Sequence, residues 1–179
     1  MSQRQRRPAL APPPIRPAVA RSDNPSAFLE QHYQHVWQTR MRGLPFVNSS
    51  LEVEVIEFVR HEGDWLGVIV TPWFLNLFLL SGGGSLWSDI AAGERCHVQL
   101  PCGRLQFIAD DDPDIGPYQY CPLIAPVSEL PDAGTAHQAA LDALKAVLTA
   151  APEIAPDVTP PEPVEASRRG FLRRMAGHK

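Results

Sequence analysis

Cysteine is scarce in this chain: three in 179 residues, Cys96, Cys102 and Cys121, too few and too irregularly spaced for a disulfide framework. No apolar run approaches the roughly 20 uninterrupted residues of a membrane-spanning helix, so no stable membrane insertion is expected. The first 22 residues lack any acidic side chain and also lack the apolar stretch of about 7–15 residues that marks a secretory signal. These absences point to a soluble protein of a reducing compartment, the cytoplasm. Neither G-x-S-x-G nor H-E-x-x-H occurs, and Gly82-Gly83-Gly84-Ser85 is not followed by the Lys-Ser/Thr of a phosphate loop. Acyl transfer, metalloprotease and nucleotide-binding chemistry thus lack their marks, and no catalytic residue is assigned.

Proline, by contrast, is abundant, with 19 residues where a share of about 5% is usual, and it gathers at the ends. Pro8, Pro12, Pro13, Pro14 and Pro17 lie among Arg4, Arg6, Arg7, Arg16 and Arg21. Such a segment buries little apolar surface and lacks backbone donors, so residues 1–22 are expected to form a disordered basic arm. Pro152, Pro156, Pro160, Pro161 and Pro163 make an extended spacer within 152–179 before a basic tail. Residues 23–151 remain as a single domain. The two ends hold ten of the 16 Lys+Arg but only four of the 20 acids, so the domain carries six basic against sixteen acidic residues, about −10, beneath a total of −4. That balance argues against nucleic acid as its partner and for a cationic one.

Within the domain, Asn24-Pro25 reads as a helix start, and Phe28, Leu29, Tyr33, Val36, Trp37 and Met41 recur at helical spacing until Gly43-Leu44-Pro45. Leu51-Glu-Val-Glu-Val55 alternates as a strand, and the turn His61-Glu-Gly-Asp64 leads into Trp65–Thr71 to close a hairpin. Leu75–Leu80 is apolar almost throughout, as a central strand is; the glycine run after it reads as a flexible connection. His97–Leu100 and Arg104–Ile108 form a second hairpin, Tyr118–Ile124 follows an acidic loop, and Asp132 caps a helix with the stripe Ala136, Ala140, Leu141, Leu144, Val147 and Leu148. The pattern predicts an α+β domain: a mainly antiparallel sheet of about five to six strands between N- and C-terminal helices, both against one face.

Two features carry binding chemistry. Thr71-Pro72-Trp73-Phe74 sets two large aromatics at a strand end, where they either pack the core or anchor a partner with much contact area and little entropy loss. Asp110-Asp111-Asp112-Pro113-Asp114 crowds four carboxylates, which either form a solvated turn or await a cation, with bidentate guanidinium pairing the strong form of that contact. The calcium-loop pattern with its final Glu is missing. Cys96-His97, Cys102 and Cys121 offer zinc-type ligands without zinc spacing. His32 and His35 share a helix face as metal ligands would, or as a solvated helix edge. No metal or cofactor is expected.

The linear order Trp65-x-Gly67-x-x-x-Thr71-Pro72-Trp73-Phe74, Leu100-Pro101-x-Gly103, Phe107, Tyr118, Cys121-x-Leu123 and Arg168-Arg169 resembles the HybE/HupJ family of nickel-iron hydrogenase assembly chaperones. The resemblance spans most of residues 26–150 plus the terminal arginine pair, with Thr-Pro-Trp its most specific piece. It implies a non-enzymatic cytoplasmic maturation chaperone for an uptake hydrogenase. Its implied partners are the small-subunit precursor with its twin-arginine signal peptide, and the complex of small with large subunit. Some relatives carry or associate with a rubredoxin; without paired C-x-x-C motifs, this chain is not expected to hold rubredoxin iron. The partner-binding residues are then Pro72, Trp73 and Phe74 for apolar client groups and Asp110, Asp111, Asp112 and Asp114 for client arginines. The alternative is a thiol or metal protein delivering or protecting a redox centre through Cys96, His97, Cys102 and Cys121.

Ser167-Arg168-Arg169-Gly170-Phe171-Leu172-Arg173 reads like the twin-arginine export motif S-R-R-x-F-L-K. Only a short stretch to Lys179 follows, without an apolar region, so the motif is not expected to direct export. It is either a basic tail that matches by chance, or a mimic in which Arg168, Arg169, Phe171 and Leu172 occupy the client's groove.

Overall fold

The computed structural model of the protein describes residues 14–150; the tail motif at Arg168, Arg169, Phe171 and Leu172 lies outside the described residues. The order of elements is α1 (Ser26–Val36), a π-helical turn (Trp37–Met41), β1 (Glu54–His61), β2 (Asp64–Val70), β3 (Leu75–Leu80), β4 (Arg95–Leu100), β5 (Gly103–Asp112), β6 (Gly116–Ile124), a short 3-10 turn and α2 (Ala133–Leu148). The six strands form one sheet in the order β1-β2-β3-β6-β5-β4, and every neighbouring pair is antiparallel. The α+β expectation of a mainly antiparallel sheet with a helix at each end of the domain holds. Both halves are meanders; after β3 the chain crosses to the far edge, enters as β4 and returns through β5 to set β6 beside β3.

The helices do not share a face. Leu75, Leu77 and Leu79 of β3 pack with Ala136, Ala140, Leu144 and Val147 of α2, whereas the alternate residues Phe78 and Leu80 pack with Leu29 and Tyr33 of α1. Successive strand side chains point to opposite sides, so α1 and α2 sandwich the β1–β3 half of the sheet. A central strand apolar at nearly every position requires cover on both sides, and β3 is buried throughout.

Local chemistry fixes each helix to the sheet. Asn24 Oδ1 accepts the Ser26 backbone N–H at 2.9 Å, while its Nδ2 donates to the Phe58 carbonyl at 2.9 Å. Phe58 is free to receive it because β1 bulges between Ile56 and Val59, with Glu57 at φ 27°. The β1 ladder begins at Glu54 rather than at Leu51, although Leu51 and Val53 are buried and Glu52 exposed, as the alternation requires. Gly67 leaves the space that the Phe58 ring occupies; any Cβ there would overlap the ring. At the other end of the domain, Asp132 accepts the Thr135 N–H at 2.7 Å and caps α2 as expected.

The glycine run is a fixed structure, not a flexible connection. The buried Asp64 carboxylate accepts the backbone N–H groups of Gly82 and Gly84 on Oδ1 and of Leu86 and Trp87 on Oδ2, at 2.8–2.9 Å. The N–H cradle that could hold a phosphate is thus filled by the chain's own carboxylate. Gly82 and Gly84 lie so close to the Glu62–Asp64 backbone that a Cβ at either would collide with it.

The boundary at Asp23 falls too late, since part of the arm is ordered. The Arg21 N–H donates to the Ser81 carbonyl at 2.8 Å, its guanidinium to the Ile115 carbonyl at 2.6 Å, and its own carbonyl accepts the Trp65 indole N–H at 3.0 Å. The Ala18 N–H donates to Asp89 at 2.9 Å, and Arg16 pairs with Asp111 at 3.0 Å. Proline-rich composition predicts poor self-burial, but this segment borrows acceptors from the finished domain. Residues 14–150 therefore carry eight basic against sixteen acidic side chains.

Candidate functional site

Thr71-Pro72-Trp73-Phe74 is the β2–β3 turn, and the buried Thr71 hydroxyl organises it. Its Oγ accepts the N–H groups of Trp73 at 3.2 Å and Phe74 at 2.9 Å, while the Thr71 N–H donates to the Phe74 carbonyl at 2.8 Å. This hydroxyl-closed turn turns Trp73 and Phe74 toward α1. Trp73 stacks on Trp37 with centroids 6.1 Å apart and planes 20° from parallel; Phe74 meets Tyr33 edge-on at 5.3 Å. Both remain half-buried, combining packing with presentation. Pro72 differs from the expectation: it is buried, and its carbonyl accepts the Asn48 N–H at 2.7 Å, so it shapes the turn and offers no surface. The loop thereby tied down also carries the exposed Leu44 and Phe46, 37% and 60% accessible.

The acidic run is the end of β5 entering the β5–β6 turn, not a free loop, and strand alternation divides it. Asp110 and Asp112 face the α1 side: Asp110 accepts the Tyr118 hydroxyl at 2.9 Å, and Asp112 Oδ2 lies 3.7 Å from His32 of α1. Asp111 projects to the other side and pairs with Arg16. Asp112 Oδ1 closes the turn, accepting the N–H groups of Asp114 at 2.8 Å and Ile115 at 3.0 Å. The four carboxylates are therefore not one cation trap.

What the fold does bring together is Trp73, Phe74 and Asp110. They line one cleft of about 380 Å³ with Phe78, Tyr118 and Tyr120. It opens where α1 ends and the sheet continues uncovered through β6, β5 and β4, whose side chains on this side, including Arg95, His97, Arg104 and Gln106, are exposed. Phe78 stacks on Tyr118 at 5.2 Å and 16°, so the floor is aromatic with a carboxylate at the rim. Burial first, then the neighbouring Tyr33 and Asp110, push the Tyr118 hydroxyl well above the ordinary phenol range; burial, then Asp112, does the same for Tyr33. The Tyr118 phenol is thereby kept as the neutral donor of its bond to Asp110. Such a cleft can take apolar side chains on its rings and a guanidinium on Asp110. The chain's own arginines already use these contacts: Arg60 lies 4.9 Å over Trp65 and Arg21 5.0 Å over Phe28. The floor residues Tyr118 and Tyr120 escaped the sequence reading as site residues, although their period-two spacing marks one strand face; nothing local shows that this face adjoins Phe74.

The cysteines do not gather around a metal. Cys96, Cys102 and Cys121 all pack against the α2-side core, while His97, next along β4, projects to the opposite side. Among the described residues no cysteine joins two further ligands at metal distance. Burial raises the thiol pKa values of Cys96 and Cys121, the latter helped by Cys102, which disfavours the thiolate that binds metal. His35 is exposed whereas His32 turns inward, so that pair shares no ligand position.

On the α1 side, the sheet face left uncovered through β6, β5 and β4 thus ends in an aromatic cleft open to solvent. The family model described as "[NiFe]-hydrogenase assembly, chaperone, HybE" matches residues 24–174, and the chain belongs to this family. It is 32% identical to Protein HoxT of Cupriavidus necator over 166 residues, covering 83% of this chain and 89% of that protein. It is also 32% identical to the hydrogenase expression/formation protein HupJ of Bradyrhizobium diazoefficiens, covering 91% and 93%. A probable rubredoxin HupJ of Rhodobacter capsulatus is 36% identical over 103 residues, but the match spans only 37% of its length. The solution structure of HybE from Escherichia coli matches with a TM-score of 0.59 and 26% identity, over 78% of this chain and 86% of that one. Among the described residues no helix is long and apolar enough to cross a membrane.

Proposed function

We propose that the chain is a non-enzymatic maturation chaperone that binds the small-subunit precursor of an uptake nickel-iron hydrogenase in the cytoplasm, including its twin-arginine signal region, and delays export until assembly is complete. Family membership supports the hydrogenase as client. The observation that carries the finer reading is the meeting of Trp73, Phe74 and Asp110 in one cleft with Tyr118 and Tyr120, because a signal peptide offers the two chemistries this cleft receives, arginines beside apolar residues. Asp114 lies outside the cleft lining, and Asp111, on the opposite side of the sheet and paired with Arg16, plays no part in it, so Asp110 is the carboxylate that meets the client's arginines.

The matched region extends past Arg168-Arg169, which fits a tail that imitates the client's signal and competes for the same cleft. A spacer of residues 152–166 extending at about 3.1 Å per residue reaches across a small domain, and a tethered ligand acts at an effective concentration on the order of millimolar. Truncation after Glu165 then raises affinity for the client peptide; unchanged affinity removes the competition. The chaperone reading itself is tested by pull-down against separately prepared large and small subunits, the latter with and without its signal peptide. Retention of the signal-bearing small subunit alone is expected. Retention of only the large subunit would transfer the client role to it.

A further inference from the structure

We propose that residues 151–158, which open the proline-rich spacer outside the described residues, dock across the uncovered β4–β5 face of their own chain, with Glu153 against Arg104 and Asp157 against Arg95. That face is a basic island in an acidic domain. Residues 95–108 hold Arg95, His97 and Arg104 and no acidic side chain. Strand alternation sets all three on the α1 side, because the intervening Cys96, Val98, Leu100, Leu105 and Phe107 pack toward α2. They are exposed, and neither guanidinium forms an ion pair with a described residue. Arg16, Arg21 and Arg60, by contrast, each have an acceptor.

The chain itself brings the opposite charge to this place. Residues 151–166 hold Glu153, Asp157, Glu162 and Glu165 and no basic side chain. The segment starts beside the face, since the Cys102 N–H in the β4–β5 turn donates to the Val147 carbonyl, in the last turn of α2, at 3.4 Å. Thr149 to Pro152 span about 12 Å at roughly 3.1 Å per residue, enough to round the hairpin tip at Pro101-Cys102.

The spacing of the charges matches. Arg104 stands opposite Gln99 and Arg95 opposite Ile108, so the two arginines are four residues apart along the hairpin, about 14 Å. Glu153 and Asp157 are also four residues apart, about 12 Å in extended chain. Pro152 and Pro156 favour that extension before contact, which lowers the cost of ordering it. A covered face also denies other acidic chains a place to dock, leaving the cleft to basic ones. The contact needs neither the client nor entry of the tail into the cleft, so its failure leaves the proposed function untouched.

The test is NMR of the isotope-labelled full chain at low salt. E153Q combined with D157N should shift the amide signals of Arg95, His97, Arg104 and Gln106 but not that of Arg60. R95Q combined with R104Q, at exposed positions that spare the fold, should in turn shift the signals of Glu153 and Asp157. E162Q with E165Q removes the same charge from the same spacer and should leave the face unmoved. Roughly 1 M salt, which screens charges beyond about 3 Å, should abolish the difference between the native chain and the E153Q/D157N variant. An unmoved face, equal shifts from both spacer variants, or shifts that grow with protein concentration, as docking onto a second copy would give, overturns the proposal.

Discussion

Asp110 receives the Tyr118 hydroxyl at 2.9 Å across the β5–β6 ladder, and this bond holds a carboxylate at the rim of a cleft whose floor is the stack of Tyr118 on Phe78. Charge and aromatic surface are thus fixed relative to each other before any client arrives. A preformed pair of this kind spares binding the cost of ordering it.

Replacement of Trp73 by alanine tests the aromatic half. Trp73 stacks on Trp37 but stays half-buried, so the variant keeps its fold by far-UV circular dichroism while losing about 2 kcal/mol of client binding, roughly 30-fold in Kd. Unchanged binding by W73A would place the client elsewhere.

Thr71→Val keeps the shape of the turn residue and removes the oxygen that accepts the Trp73 and Phe74 N–H groups. Urea unfolding should show a loss of about 1–3 kcal/mol, with T71S restoring most of it. Equal stability of the valine and serine variants contradicts the role given to the hydroxyl.

Asp64→Asn turns two donor hydrogens of its own toward an N–H cradle that needs four acceptor contacts. The expected loss is about 3 kcal/mol or more by denaturant melting, greater than any single surface substitution produces. A loss under about 0.5 kcal/mol, ordinary for surface sites, would mean that the cradle is dispensable.

Acid should release the N-terminal segment before the domain unfolds. The indole N–H of Trp87 and the Ala18 N–H hold the Asp89 carboxyl below the usual carboxylate range. A depressed folded pKa gives stabilisation that is full above the unfolded value of about 3.9 and is lost as pH falls through the folded one. Proton exchange of the Ala18 amide, followed by NMR, should therefore accelerate relative to the β3 amides below about pH 4; a parallel change in both reports only global unfolding.

Much of this architecture is legible in the sequence, for identifiable reasons. The α2 stripe and its Asp132 cap are local signals, and Ala136, Ala140, Leu144 and Val147 are buried as the spacing requires. The Glu62-Gly63 turn is local too, with φ of 49° and 89°, the left-handed pair that a tight two-residue hairpin favours. The faces of the two helices are not local, because a helix stripe shows that it must be covered but not by which side of a sheet. Asp110, Asp111 and Asp112 read as a loop because aspartate is a poor strand former; pairing with Tyr118, Pro117 and Gly116 of β6 overrides that preference. The glycine run reads as flexible because its partner, Asp64, lies 18 to 23 residues earlier in the chain. The cleft itself needs β3 beside β6, a neighbour relation between strands far apart in sequence.

The central claim is that one fixed cleft takes the arginines and apolar residues of the client's signal. Calorimetric titration of the full chain with the small-subunit signal peptide, repeated with D110N combined with W73A, tests it most directly. The account predicts one-to-one binding that weakens with salt in the native chain and is lost in the double variant, whose circular dichroism is unchanged. Equal affinity of the native and doubly substituted chains would contradict it.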